Sequence, residues 1–242
     1  MVAILKKEII HFFGSLIGLM TIAVFLLVLG LMMWVLPDYS ILNYPYASLD
    51  QLFIIAPAIF IFLVPAVTMR TFADEYTSGN FEMLRTKPIT LFDIVMGKYL
   101  AALFLVSLAL LPTLIYYYSV YQLGSPIGNI DGGEIAASYL ALFFLAASFC
   151  AIGILSSALT RNQIVAFLMG SFLCFFFHWV FFYLSKLPVF FGRWDDLVQQ
   201  LGIDHHYISM SRGVIDTRDL IYFVSFIGIF LILTILAIGK DK

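Results

Sequence analysis

The chain has 242 residues, 62% of them apolar and 12% charged, with a mean hydropathy of +1.02, which is more apolar surface than one soluble core of that length can bury. Its formal charge of −2 leaves neither a basic stripe for nucleic acid nor an acidic tail. Cys150 and Cys174 both fall inside apolar runs, where thiols pack as small hydrophobes, so no disulfide or metal framework follows from them.

Residues 1–15 mix an apolar stripe of Ile4, Leu5, Ile9, Phe12 and Phe13 with Lys6, Lys7, Glu8 and His11. This is the pattern of an amphipathic lead-in at a membrane surface, although it could also continue the first span. The run that follows is too long for a signal-peptide core and lacks a small-residue cleavage site, which makes it a retained helix. Six segments reach the roughly 20 residues that cross about 30 Å of hydrocarbon, namely 16–36, 51–71, 98–121, 134–160, 163–184 and 219–239. They are too long and too uniformly apolar for barrel strands, so the expected fold is an all-α integral membrane protein with six transmembrane helices. Pro57 and Pro65 in the second span and Pro112 in the third are candidate kinks that neighbouring helices must support. The fourth span is rich in small residues (Ala146, Ala147, Ser148, Ala151, Gly153, Ser156, Ser157), which suits a buried or subunit-facing helix. Gly14 and Gly18 form a single GxxxG, for which ordinary packing is a better reading than a dimer seam.

Lys and Arg set the orientation. Lys6, Lys7, Arg70, Arg85, Lys87, Lys98, Arg161, Lys240 and Lys242 fall on one side, while loops 37–50 and 122–131 have none, so both termini are expected in the cytoplasm. Loop 185–218 then lies outside despite Lys186, Arg193, Arg212 and Arg218, as long loops obey the rule weakly. Trp34, Tyr39, Tyr44 and Tyr46, and the Tyr116–Tyr118 run with Tyr121, are expected at the outer rim. Within loop 185–218, Trp194, Leu197, Val198 and Leu201 recur at helical spacing and Gly202 suits a stop, giving a short amphipathic helix at the outer interface. Asp216 is a candidate cap for the last span.

Catalytic signatures are sparse. Gly97-Lys98 has Phe92 where a phosphate-cradling loop needs glycine and Tyr99 where it needs Ser or Thr, so ATP hydrolysis on this chain is not expected. His178 is flanked by Phe177 and Trp179 with no acid near it in sequence, which favours a packed histidine over a proton relay. In Asp204-His205-His206 the adjacent histidines diverge on a helix, against metal binding. No catalytic, cofactor or metal residue is assigned, and an intramembrane hydrolase built on His178, His205 or His206 ranks last.

Charge is densest in residues 72–97, between two spans. Phe72, Tyr76, Phe81, Met83 and Leu84 alternate there with Asp74, Glu75, Glu82, Arg85 and Lys87. That mixture suits a short helix at the cytoplasmic face, which either stabilises the bundle or seats in a partner's groove. Pro88 ends it, and Thr90 with Asp93 makes a capping box for the next helix.

Asp74-Glu75, Ser78-Gly79, Glu82-x-Leu84, Pro88 and Ile94-x-x-Gly97-Lys98 together resemble the corresponding segment of ABC-2 type transporter permeases. Tyr76 stands where that family often has a basic residue. The resemblance extends over the whole chain, as one transmembrane domain of residues 1–242. More narrowly, the Arg212–Asp216 run with residues 219–223 is similar to permease subunits of gliding-motility ABC transporters of Bacteroidetes. The resemblance implies a coupling helix that docks on a cytosolic ABC ATPase dimer through Glu75, Gly79, Phe81, Glu82 and Leu84. ATP would then be bound only by that partner. It also implies a second permease subunit, either identical or unlike, in a bacterial inner membrane among its lipids, with export as the direction. A non-transporting anchor or assembly subunit of an envelope complex is the alternative.

Overall fold

Helices and the turns between them make up residues 1–43, 46–188, 192 and 194–240, the part that the computed structural model describes, with no strand among them. Tyr44, Arg193 and Lys242, named above as anchor or charges, lie outside the described residues, as do the side chains of Arg85 and Lys240. The protein is an all-α chain with membrane-length helices.

α1 (Val2–Phe13) and α2 (Leu16–Trp34) meet at a bend of 68°. Ser15 shapes the corner, accepting from the Gly18 N–H at 3.1 Å and donating to the Phe12 carbonyl at 3.0 Å. A Cβ on Gly18 would lie 2.5 Å from that carbonyl oxygen, so the glycine serves this corner. α3 (Asp50–Thr68) and α4 (Arg70–Ser78) form one rod, and the short α5 (Asn80–Arg85) turns back from its end. α6 (Leu91–Leu110) and α7 (Leu114–Leu123) form a second rod, joined by a 3-10 turn that contains Pro112. α8 (Gly132–Ala158) is followed by α9 (Gln163–Phe175), a π-helical turn at Phe176–Val180 and α10 (Phe181–Ser185). α11 (Asp195–Gln200) and α12 (Ile203–Ser211) precede the last long helix, α13 (Thr217–Lys240).

Among the described residues, five continuous stretches are long and apolar enough to cross a membrane: Asp50–Ser78, Leu91–Leu123, Gly132–Ala158, Gln163–Ser185 and Thr217–Gly239. The expected first span is helical, but it joins this set only when α1 and α2 are taken together as one bent pair. The expected third span begins earlier, at Leu91, because the Thr90 cap works: Thr90 Oγ1 accepts from the Asp93 N–H at 3.1 Å.

α8 is the axis of the bundle and packs against α3, α6, α9, α12 and α13. Its small residues let α3 approach so closely that a Cβ on Gly153 would collide with Thr68. α3 stays helical through both prolines, although Pro57 lacks the N–H that would bond the Phe53 carbonyl. The Tyr207 hydroxyl of α12 donates to that carbonyl instead, at 2.6 Å. α12, with Ile203, Tyr207 and Met210 buried, is therefore the element of the 185–218 loop that seals the bundle. In α11, the expected amphipathic helix, Leu197 is exposed, as are Trp194 and Leu201 on either side. Asp216 accepts from the Arg218 N–H at 2.9 Å and caps α13.

The Met1 amino group lies 3.8 Å from Asp93, and a Cβ on Gly239 would sit 3.9 Å from the Leu91 side chain. Both ends of the described chain thus lie at the start of α6. Ala47 lies beside Gly124, at the far end of the α6–α7 rod. The chain between α1 and α3 therefore runs the height of the bundle along α2.

Candidate functional site

The polar segment after α3 is a braced elbow. α4 stops at Gly79, whose φ of 72° puts it in the left-handed region that glycine occupies without Cβ strain, and the chain reverses into α5. The reversal folds Phe81 back onto Tyr76, with ring centroids 4.9 Å apart, and onto Phe72 at 6.1 Å. Phe81 is buried as a result, and the six-residue α5, too short to be stable alone, is pinned to α4.

Three ties hold the elbow to the rest of the bundle. Ser157 of α8 accepts from the Phe72 and Ala73 N–H groups at 3.0 and 3.2 Å and donates to the Met69 carbonyl at 2.9 Å, filling positions that a helix start leaves open. Thr77 donates to the Arg161 carbonyl at 2.9 Å, and Gln163 donates to Asp74. The third tie is ionic. Lys98, fully buried two turns into α6, places its Nζ 2.8 Å from Glu8 of α1 and 3.0 Å from Glu75 of α4. It also donates to the Thr71 carbonyl and lies 4.9 Å from the Phe72 ring centroid. Lys7 bonds the same Glu75 oxygen at 2.7 Å. Two carboxylates facing two ammonium groups, with Lys98 and Glu75 withdrawn from water, form a connected ionic lock among three helices.

The five residues expected at a partner surface are divided by this geometry. Gly79 and Glu82 are exposed and Leu84 is partly buried. Glu75 and Phe81 are turned inward, one into the ionic lock and the other into the aromatic cluster, so neither presents a surface. Asn80 and Met83 complete the exposed tip, Met83 being 68% exposed. Glu8, expected as part of the amphipathic lead-in, and Lys98, expected as a charge at the start of the third span and as part of the Ile94-x-x-Gly97-Lys98 motif, join the candidate site through these contacts. Their signal was an acid within a basic lead-in and a lone lysine past the start of a span.

No protein-family model matches the chain, and no curated protein matches it.

At the opposite end, the Asp204-His205-His206 triplet separates. His206 Nδ1 lies 2.7 Å from Asp219 and its Nε2 lies 3.0 Å from the Gln200 carbonyl, with the ring stacked on Tyr222 at 3.8 Å. Asp204 points to His178 Nε2 at 3.7 Å, supplying the acidic neighbour that sequence distance had hidden. Burial pushes the Asp204 carboxyl up to about 6. Burial, followed by the neighbouring His206, lowers His205. The pairs join α12 to α13 and to the π-helical turn, and they fasten that end of the bundle.

Proposed function

We propose that the chain is the membrane-spanning subunit of an ABC-2 type transporter, driven by an ATPase on a separate polypeptide that docks on the exposed tip of the α4–α5 elbow. The observation that carries this reading is mechanical. An exposed tip of Gly79, Asn80, Glu82 and Met83 stands on an elbow whose base is tied to α1, α6 and α8. A partner that pushes on a loose loop moves only the loop; a push on this elbow is passed to three helices at once. In this reading Glu75 and Phe81 stiffen the lever, while Glu82, Met83 and Leu84 meet the partner.

With both ends of the chain beside the start of α6, an odd number of crossings would place them on opposite faces. α2 therefore counts as a crossing, giving six spans, and the lysine-rich ends lie in the cytoplasm. The membrane is the inner membrane of a bacterium, and a second permease subunit shares the path. A role in gliding motility rests on the resemblance of the 212–223 region alone.

The test is copurification from the native membrane, followed by assay of ATP hydrolysis in the recovered complex. The unmodified chain should bring down a P-loop ATPase in constant ratio. Met83→Asp, a surface change that leaves Phe81 in place, should lower its recovery about tenfold or more while the chain still inserts. An ATPase recovered equally with Met83→Asp and Glu82→Ala would end the docking assignment. One whose turnover is unchanged when the permease is removed would favour the anchor alternative.

A further inference from the structure

Two hollows lie next to each other on one flank of the bundle. At the elbow end, a cavity of about 530 Å³ lies between α1, α2, α3, α4 and α6, and its charged lining is Lys7, Glu8, Arg70, Asp74, Glu75 and Lys98. Alongside it, an apolar groove of about 780 Å³ follows α2 and α3, walled by Val24, Val28, Met32, Ile54, Ala58 and Phe62. Thr21 and Ala66 line both, so the polar cavity and the groove meet at these two residues. From Ala66 to Ile54 the helix rises about 18 Å, close to the roughly 15 Å of hydrocarbon in one leaflet. Phe62, Ala66 and Arg70 follow one another at helical spacing on the α3–α4 rod, so one stripe passes from apolar groove to guanidinium.

The charges indicate what the head of an occupant must carry. Three cations and three carboxylates line the cavity. Lys7 and Lys98 are taken up by Glu8 and Glu75, and Asp74 receives an amide from Gln163. Arg70 is left over: no ion pair engages it among the described residues, and its buried Nε has no hydrogen-bond partner. Glu75 Oε2 is likewise buried without a partner. A cavity of balanced charge with a spare guanidinium and a spare carboxylate oxygen matches a ligand that brings one charge of each sign. An anionic head would add a charge that this balanced lining does not compensate, beside the buried Glu75 and Lys98.

We propose that these two hollows together form a binding site for one aminophospholipid of the phosphatidylethanolamine type, its phosphate on Arg70, its ammonium toward the Asp74 and Glu75 carboxylates, and an acyl chain in the α2–α3 groove. The site requires the chain to lie in a bilayer and is independent of any ATPase.

The experiment uses the delipidated full chain in detergent, titrated separately with dioleoyl phosphatidylethanolamine and dioleoyl phosphatidylglycerol. Native mass spectrometry reads bound lipid and oligomeric state, and thermal melting reports folding. One ethanolamine lipid per chain should bind, about tenfold more tightly than the glycerol lipid. Arg70→Gln should remove that preference, and Ala58→Trp, which fills the groove, should abolish binding. Leu123→Trp, on a remote exposed site, should leave binding unchanged and controls for general damage. Equal binding of the two lipids, or undiminished preference in a folded Arg70→Gln, overturns the proposal. So does a lipid-free dimer that Ala58→Trp dissociates, which would make the groove a subunit interface.

Discussion

Lys98 is a lysine at the edge of a membrane span that never reaches water. A lysine near a span end ordinarily snorkels to the interface; this one is held by two carboxylates, a carbonyl and a ring face. Removing one member of a buried ionic cluster is far more damaging than replacing the whole, because the remaining charges stay buried and uncompensated. Lys98→Met should therefore lower stability by about 3–5 kcal/mol, read as a fall in melting temperature in detergent. Lys98→Met combined with Glu8→Gln and Glu75→Gln should recover most of that loss. A single Lys98→Met variant that melts with the unmodified protein would show that the lock contributes nothing. Lys7, half exposed, is solvent-screened and its loss should be mild.

At the scale of elements, the chain repairs its own irregularities with residues far away in sequence. Pro57 would be a weak point in α3, yet α12 delivers the Tyr207 hydroxyl to the carbonyl it frees. The two changes should therefore be coupled. Tyr207→Phe leaves a buried carbonyl unsatisfied and should destabilise by about 1–3 kcal/mol. In a Pro57→Ala background, where the helix supplies its own N–H, the same change should cost much less. A thermal-melting double-mutant cycle reads the difference, and additive losses would mean that the tyrosine is held for its ring alone. This pairing also shows what could be read from sequence. The helices, the Thr90 and Asp216 caps and the close packing of α8 follow from local composition and spacing, which act over a few residues. The ionic lock, the Asp204–His178 contact and the inward turn of Glu75 and Phe81 depend on residues brought together from distant helices. Periodicity carries no information about such meetings. That α12 and not α11 is covered has the same cause, since only the bundle decides which segment of the loop it buries.

On the scale of the whole molecule, the proposed six crossings rest on where the ends meet rather than on the hydropathy of any one helix. α2 (Leu16–Trp34, 19 residues) spans about 28 Å at helical rise, just under the roughly 30 Å of a hydrocarbon core. The course of the chain supports a crossing there: Met1 and Gly239 lie at the α6 start, while Ala47 lies beside Gly124 at the other end. A short span is accommodated by local thinning of the bilayer or by its flanks, at a modest cost per ångström. Single cysteines test this without removing the native ones, as Cys150 and Cys174 are both buried. Asp38→Cys and Asn129→Cys should react with an impermeant maleimide on intact cells, whereas Lys6→Cys and Lys87→Cys should react only after the inner membrane is opened. If α2 lies in the membrane without crossing, the Lys6 and Asp38 positions will label alike, together with Asn129 and on the face opposite Lys87. That outcome would leave five spans and separate the two ends of the chain, so the elbow would lose the α1 tie on which its proposed role as a lever depends.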